Sequence, residues 1–289
     1  MAPINCGECS IELSPLAMTC GVCGTQQFPN VNVAQTPEER CALYDRYDRA
    51  RATAVAAGLA DMAEQFEAYV DGSLAVMCVK LGELERLASS DSELKSTFYG
   101  IADTRVPRAQ PPAGTDWNRI REVIDTAVFG DEAKRHIRFA ALSTSAEGLT
   151  AYGPCTLVCA TAHVRKRAST FEKNSCQFFV DRRKIGIGQT VEVPEGYRST
   201  WSDRGKLAVA KLGERLRPGM TAAHFDALLL TAGATTAEDD FVEVHIFGSM
   251  SAATFEQVMI DETAAARHYA PPALRDLKRT LSNLGLLKD

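Results

Sequence analysis

Two Cys-x-x-Cys units in the first 23 residues constrain this chain more than any other feature: Cys6-Gly7-Glu8-Cys9 and Cys20-Gly21-Val22-Cys23, ten residues apart. A tight Cys-x-x-Cys turn places two thiolates on one side of the backbone. Two such turns facing each other form a tetrahedral sulfur cage for Zn²⁺. Cys6, Cys9, Cys20 and Cys23 are therefore the expected ligands of a structural zinc, and residues 1–28 an expected zinc ribbon. A closed four-thiolate site leaves no coordination position open for catalysis. The other five cysteines (Cys41, Cys78, Cys155, Cys159, Cys176) show no paired spacing, which favours metal over a disulfide framework.

The whole 289-residue chain is 45% hydrophobic and 24% charged, enough for a sizeable core. No apolar run is long enough for a membrane span, and Met1-Ala2-Pro3-Ile4 carries no secretory pattern. Reduced thiols and a zinc site fit a cytoplasmic setting. The net charge of −5 argues against a general nucleic-acid coat without excluding a local basic patch.

Residues 25–36 read as a linker. Thr36-Pro37-Glu38-Glu39 then opens a helix-rich stretch with a capping box and proline at the first helical position. Gly72 ends it. Residues 73–89 read as one further helix, with Leu74, Met77, Cys78, Leu81, Leu84 and Leu87 on one apolar face. Three prolines within 103–116 mark a boundary. The organisation expected is a ribbon (1–28), a helical region (36–116) and a mixed carboxyl-terminal domain (117–289), an α+β protein overall. In that last part, a helix is expected from Trp117 to Val128. Strands are expected at 138–142, 155–159, 176–180 and 241–247, and helices at 202–216, 221–230, 251–259 and from Pro271.

Three blocks hold the candidate chemistry. One is Ile137-Arg138-Phe139 followed by Tyr152-Gly153. Another is Arg167-Ala168-Ser169-Thr170-Phe171 with Asn174-Ser175. The third is Phe241-Val242-Glu243-Val244-His245-Ile246-Phe247-Gly248. A carboxylate inside a strand is either a solvated edge guard or a rigidly mounted group that can stabilise a developing cation. His245, two residues beyond Glu243, shares its face on a regular strand. It either lines a cleft or is a satisfied, half-buried histidine. Asp239-Asp240 reads as a solvated turn. Arg165-Lys166-Arg167 and Arg182-Arg183-Lys184 could meet phosphate or simply face water. Gly186-Ile187-Gly188 is too short for a dinucleotide fingerprint.

Taken in order, the blocks over about residues 137–262 resemble the ADP-ribosyltransferase superfamily. Its members carry an arginine on a first strand, a Ser/Thr motif and a later glutamate. The resemblance implies a mixed α/β domain with a split antiparallel sheet and cleavage of NAD⁺, as substrate, at the nicotinamide–ribose bond. It implies Glu243 as the group that holds the ribose and stabilises its positive charge, and Arg138 on the ribose-phosphate side. Ser169 or Thr170 would brace the site. Tyr152-Gly153, Phe171 and His245 would contact the nucleotide. Toxin, effector and defence enzymes of this kind add targeting modules, so a docking or inhibitory partner could bind through the ribbon or the helical region. Phe241 stands where arginine-modifying members carry glutamate, so the acceptor is expected to be something other than protein arginine. An adaptor reading stays open beside this one: a zinc ribbon that binds protein or nucleic acid, joined to an inactive α+β domain. A Mg²⁺ nuclease using Glu243 with Asp239 or Asp240 is a third.

Overall fold

A computed structural model describes residues 3–100, 117–181, 191–267 and 269–287. The strands in chain order are β1 (Ile4–Asn5), β2 (Glu12–Leu13), β3 (Leu74–Val79), β4 (Ile137–Ser143), β5 (Cys155–Cys159), β6 (Ala168–Phe171), β7 (Arg198–Thr200), β8 (Leu230–Thr231), β9 (Asp240–Phe241), β10 (Glu243–Phe247) and β11 (Phe255–Ile260). Seven of them form one sheet in the order β11-β5-β3-β4-β10-β6-β7, with every pair antiparallel. The protein is thus a mixed α/β structure around a large antiparallel sheet.

Register decides which side chains share a face, because directly opposed residues point the same way. Glu243 opposes Ala141 on one side and Phe171 on the other, and His245 opposes Phe139 and Ser169. Those residues form one face. Arg138 opposes Ile246, and Thr170 opposes Val244, so both belong to the other.

The face bearing Arg138 is covered by the helices Pro37–Ala56, Ala60–Asp71, Leu81–Ser89, Arg204–Leu212, Ala222–Leu229 and Pro271–Asn283. They bury the largest apolar cluster against Met77, Leu142, Leu157, Val244 and Ile246. Ala50 and Ala54 let the Pro37–Ala56 helix approach closely, and a Cβ on Gly213 would sit 3.4 Å from that of Ala50. The opposite face carries two smaller clusters. One gathers Ile124, Phe129, Phe171 and Phe179 beneath the helices Trp117–Phe129 and Ser175–Asp181, and the other gathers Val76, Ala141, Leu149 and Phe241. Glu243 stands between residues of the two.

Strand β3 makes the sheet fork. Its first three residues, Leu74 to Val76, pair with β4, while Val76 to Val79 pair with β5. From Met77 onward β3 no longer pairs with β4. The sheet is one ladder through β3 rather than two separate halves, and the fork is the only division in it among the described residues.

Several sequence expectations are corrected. Residues 73–89 are strand then helix, so the segment expected to be helical supplies a central strand of the sheet. Leu74 to Val79 is nearly all buried, and a strand covered on both faces loses the alternation that would reveal it. Residues 176–180 belong to a helix that starts at Ser175, with the Asn174 side chain accepting a hydrogen bond from the Gln177 amide. Residues 255–260 form the edge strand β11 instead of a helix. The linker at 25–36 contains a fully buried helix, Pro29–Ala34. Pro37 starts the next helix as expected, but the Thr36 hydroxyl bonds back to Val33 O and forms no capping box. The boundary at 103–116, the Arg182-Arg183-Lys184 cluster and Gly186-Ile187-Gly188 lie outside the described residues.

Candidate functional site

Glu243 is 2% exposed and opens β10. Its Oε2 accepts from the Ser175 amide at 2.9 Å and faces His245 Nε2 at 2.8 Å. With Glu243 as acceptor, the proton sits on Nε2 of the ring. Phe129 and Phe139 hold that ring edge-on, with centroids 4.6 and 5.5 Å away. Burial alone would raise the carboxyl pKa. The His245 hydrogen bond and charge, Arg121 and the Ser175 amide together outweigh it and hold Glu243 below the ordinary carboxylate range.

A cavity of about 190 Å³ opens at the fork, lined by Glu243, Arg121, Phe139, Tyr152, Asn174 and Cys78 among others. Arg121 reaches it from the Trp117–Phe129 helix. Its Nε lies 3.2 Å from Asp125 Oδ2, and its guanidinium sits 4.0 Å over the Phe139 ring. Tyr99 donates to the same Asp125 oxygen at 3.0 Å. Burial would lower the Arg121 pKa, but Asp125, Cys176 and Glu243 raise it beyond the ordinary arginine value, so it stays charged. Three buried polar atoms here have no partner: Arg121 Nη2, Asp125 Oδ1 and Ser175 Oγ. Buried polar atoms are nearly always paired, and Nη2 belongs to a side chain that lines the cavity. Burial pushes the Cys176 thiol up to about 12, so it is no nucleophile at neutral pH.

Tyr152, 40% exposed, joins this cavity to a larger one of about 670 Å³, and Leu149 lines both. Burial first, then Asp239 and Glu243, raise the phenol pKa well above its ordinary value. Gly153 is required where it stands. Its φ is +155°, and a Cβ there would lie 2.2 Å from the Val79 carbonyl. Asp239 lines the larger cavity and is 2% exposed, which corrects its reading as a solvated turn residue.

The motif residues divide between the two faces. Glu243, His245, Ser169 and Phe171 share one face. Of these, Ser169 Oγ accepts from Asn30 Nδ2 at 3.1 Å, and Phe171 packs on Phe178 at 5.0 Å between centroids. Neither lines the cavity. Thr170 lies on the opposite face and shares a 2.6 Å hydrogen bond with Ser199. Arg138 is there too, donating to Lys95 O at 3.0 Å and Gly248 O at 2.6 Å. Burial first, then Arg167, lower its pKa to about 10. The expected convergence of Arg138 with Glu243 does not occur, and Arg121 takes the cationic position at the carboxylate. The sequence held a signal for Arg121. With Asp125 it forms a charged i, i+4 pair interleaved with the apolar Ile124 and Val128, at positions that face the core.

At the amino terminus the four cysteine sulfurs lie within 4.8 Å of one another, with 3.6 Å between those of Cys6 and Cys23 and between those of Cys9 and Cys20. The knuckles are built alike. The Ser10 amide bonds Cys6 O, and the Gly24 amide bonds Cys20 O, both at 2.9 Å. Ser10 and Gly24 both have positive φ, 58° and 73°. Four thiolates so disposed can hold one metal ion.

The module is tied to the turn after the Trp117–Phe129 helix and to the sheet. A Cβ on Gly130 would meet Leu16 at 3.2 Å, and Phe28 packs edge-on against Phe247. In the buried helix that follows, Asn30 Nδ2 lies within hydrogen-bond distance of His245 O (2.8 Å), Ser169 Oγ and Arg167 O.

No protein-family profile matches the chain, and no curated protein matches it. Among the described residues, no helix is long and apolar enough to cross a membrane.

Proposed function

We propose that this chain is a cytoplasmic NAD⁺-cleaving enzyme, a mono-ADP-ribosyltransferase or NAD⁺ glycohydrolase, with a structural zinc at its amino terminus. One observation carries the reading: a buried carboxylate, Glu243, with its pKa held below the ordinary range, in a cavity also lined by Arg121, whose Nη2 has no partner. Breaking the nicotinamide–ribose bond leaves positive charge on the ribose. An ionised carboxylate fixed by His245 and the Ser175 amide can stabilise that charge with little reorganisation. Arg121 Nη2 supplies a donor for a phosphate or carboxamide oxygen, and Tyr152 supplies a neutral phenol at the mouth. In this role Arg121 replaces Arg138. Loss of one preorganised electrostatic group costs about 3–4 kcal/mol of barrier, roughly 10²–10³ in kcat. Zinc suits the cysteine cluster, because 2.3 Å Zn–S bonds at tetrahedral angles place sulfurs about 3.8 Å apart. Its role is to fold the ribbon, which leaves that surface for a docking or inhibitory partner.

The test is release of nicotinamide from NAD⁺ by the purified chain. Turnover in wild type with about a 10²-fold or greater loss in Glu243→Gln supports the reading. A wild-type protein that neither turns over NAD⁺ nor is stabilised by it refutes the reading. A second reading rests on a different aspect of the same contacts. Glu243 Oε2 is already engaged by Ser175 and His245, so it can serve as a structural tie in an inactive adaptor domain. That reading expects Glu243→Gln to lower the melting temperature and to change no activity.

A further inference from the structure

The larger cavity holds an unsatisfied carboxylate. Asp239 precedes β9, and the β8–β9 hairpin fixes it through the pairs Leu230–Phe241 and Thr231–Asp240. Its Oδ1 accepts from the Gly233 amide at 2.9 Å. That approach needs a glycine, since a Cβ at 233 would fall 2.4 Å from Glu238 Cβ. By distance and angle its Oδ2 is buried with no hydrogen-bond partner, and the Tyr152 hydroxyl is the nearest donor, close enough for the carboxylate to raise the phenol pKa. A buried carboxylate oxygen left unpaired is costly, so the cavity is built to receive a donor.

The walls narrow what that donor belongs to. Lys80 and Arg267 line the same cavity, both exposed, and among the described residues neither side chain forms an ion pair. Two free cations at the rim disfavour a lone arginine or lysine side chain and favour a group that carries phosphate. Tyr152 and Tyr269 add aromatic surface, and the Gly82 amide pins the Tyr269 hydroxyl at 3.2 Å. The volume of about 670 Å³ lies within the range of small-molecule pockets, room for one nucleotide swung out of a strand. A base amino group donating to an aspartate, phosphates on lysine and arginine, and stacking on tyrosine is how single strands are held.

We propose that this cavity is the acceptor site and takes single-stranded nucleic acid, with the exocyclic amine of one base directed at Asp239 Oδ2. The transfer step rests on the NAD⁺ reading above. The ribose C1′–N bond to nicotinamide breaks and nicotinamide leaves with the electron pair. The base nitrogen forms the new bond to C1′ and gives up a proton to Asp239. Tyr152, common to both cavities, marks where donor and acceptor meet.

Binding is measured first, without NAD⁺, by fluorescence anisotropy of a labelled mixed-sequence single-stranded oligonucleotide with the full chain. Wild type binds, and Asp239→Asn weakens binding by about tenfold or more, in line with the loss of one specific base contact. Asp239→Asn keeps the Oδ1 acceptor for the Gly233 amide, so its melting temperature should be no lower than wild type. The Lys80→Ala/Arg267→Ala protein lowers the slope of log affinity against log salt by about 1.4, two single-strand phosphate contacts. With labelled NAD⁺ present, Asp239→Asn loses transfer of label to the oligonucleotide. Failure of wild type to bind, equal binding by Asp239→Asn, or preference for an arginine-rich peptide overturns the proposal. So does a raised KM for NAD⁺ in Asp239→Asn, which would assign the cavity to the donor. Because binding needs no NAD⁺, oligonucleotide binding without nicotinamide release refutes the NAD⁺ reading and leaves the docking site standing.

Discussion

His245 Nε2 lies 2.8 Å from Glu243 Oε2, two residues apart on one strand and on the same face, both side chains 2% exposed. The carboxylate's folded pKa is below its ordinary value. Its contribution to stability is therefore complete above the unfolded-state pKa of about 4.3 and is lost as pH falls through the lower folded value. His245→Leu removes the donor and leaves burial as the main influence on Glu243. At neutral pH this should cost about 3–5 kcal/mol, the usual penalty for breaking a buried pair from one side. At about pH 3, below the unfolded-state carboxylate pKa, the His245→Leu variant carries a protonated Glu243 and loses less. Melting curves of wild type and variant across the acid-to-neutral range should show the gap opening as pH rises through the carboxylate range. A gap independent of pH would falsify the electrostatic coupling.

The cysteine cluster makes a separate prediction. One metal ion per chain should be found by elemental analysis, and titration with a thiol reagent should release it. Cys20→Ser removes a buried ligand and should lower metal content and melting temperature together. Loss of metal should also reach the sheet, because Phe28 docks the ribbon on Phe247 of β10, Leu16 meets the Gly130 turn after the Trp117–Phe129 helix, and the next helix lies beneath β6 and β10. Chelation should therefore produce one lowered transition. A separate early melt with the main transition unmoved would show that the ribbon is energetically detached.

Asn30 is the tightest stitch in that connection. Its amide nitrogen sits among His245 O, Ser169 Oγ and Arg167 O. Asn30→Ala leaves those buried acceptors short of a donor. At about 1–3 kcal/mol for a buried group left unsatisfied, the loss should be about 2–3 kcal/mol. For a chain of this size that lowers the melting temperature by about 4–12 °C. Asn30→Asp should be worse, since it places a carboxylate against carbonyl oxygens. If neither variant moves the transition, the helix at 29–34 does not support the strand that carries Glu243.

How far the sequence foretold this arrangement differs by element. The Cys-x-x-Cys spacing placed four sulfurs together because each knuckle is local. The runs at 138–142, 155–159 and 241–247 were visible as strands and fall on β4, β5 and the β9–β10 stretch. Leu74 to Leu87 misled because a doubly buried strand runs straight into a helix whose Leu81, Leu84 and Leu87 keep the three-residue spacing. Cys176 to Val180 is too short for its period to separate strand from helix, and the Asn174 cap decided for helix. Glu243 and His245 were legible as a same-face pair because they lie on one strand. Arg138 was not, because whether residues on two strands share a face depends on register, which no local pattern encodes.

That parity separates two arginines experimentally. Arg138 donates to Lys95 O, His136 O and Gly248 O on the face away from the cavity. Arg138→Met should strip donors from buried carbonyls and cost about 2–4 kcal/mol of stability, while the surviving folded protein keeps kcat and KM for NAD⁺ cleavage. Arg121 lines the cavity with an unpartnered Nη2. Arg121→Lys keeps the charge beside Asp125 but loses the planar fork. It should change stability less than Arg138→Met while lowering kcat/KM by roughly 10²-fold, the scale of one preorganised donor. Melting temperature and steady-state kinetics on the two variants give opposite patterns if the cationic residue of the site is Arg121. The reverse pattern, with activity lost in Arg138→Met and kept in Arg121→Lys, would return the role to the first strand.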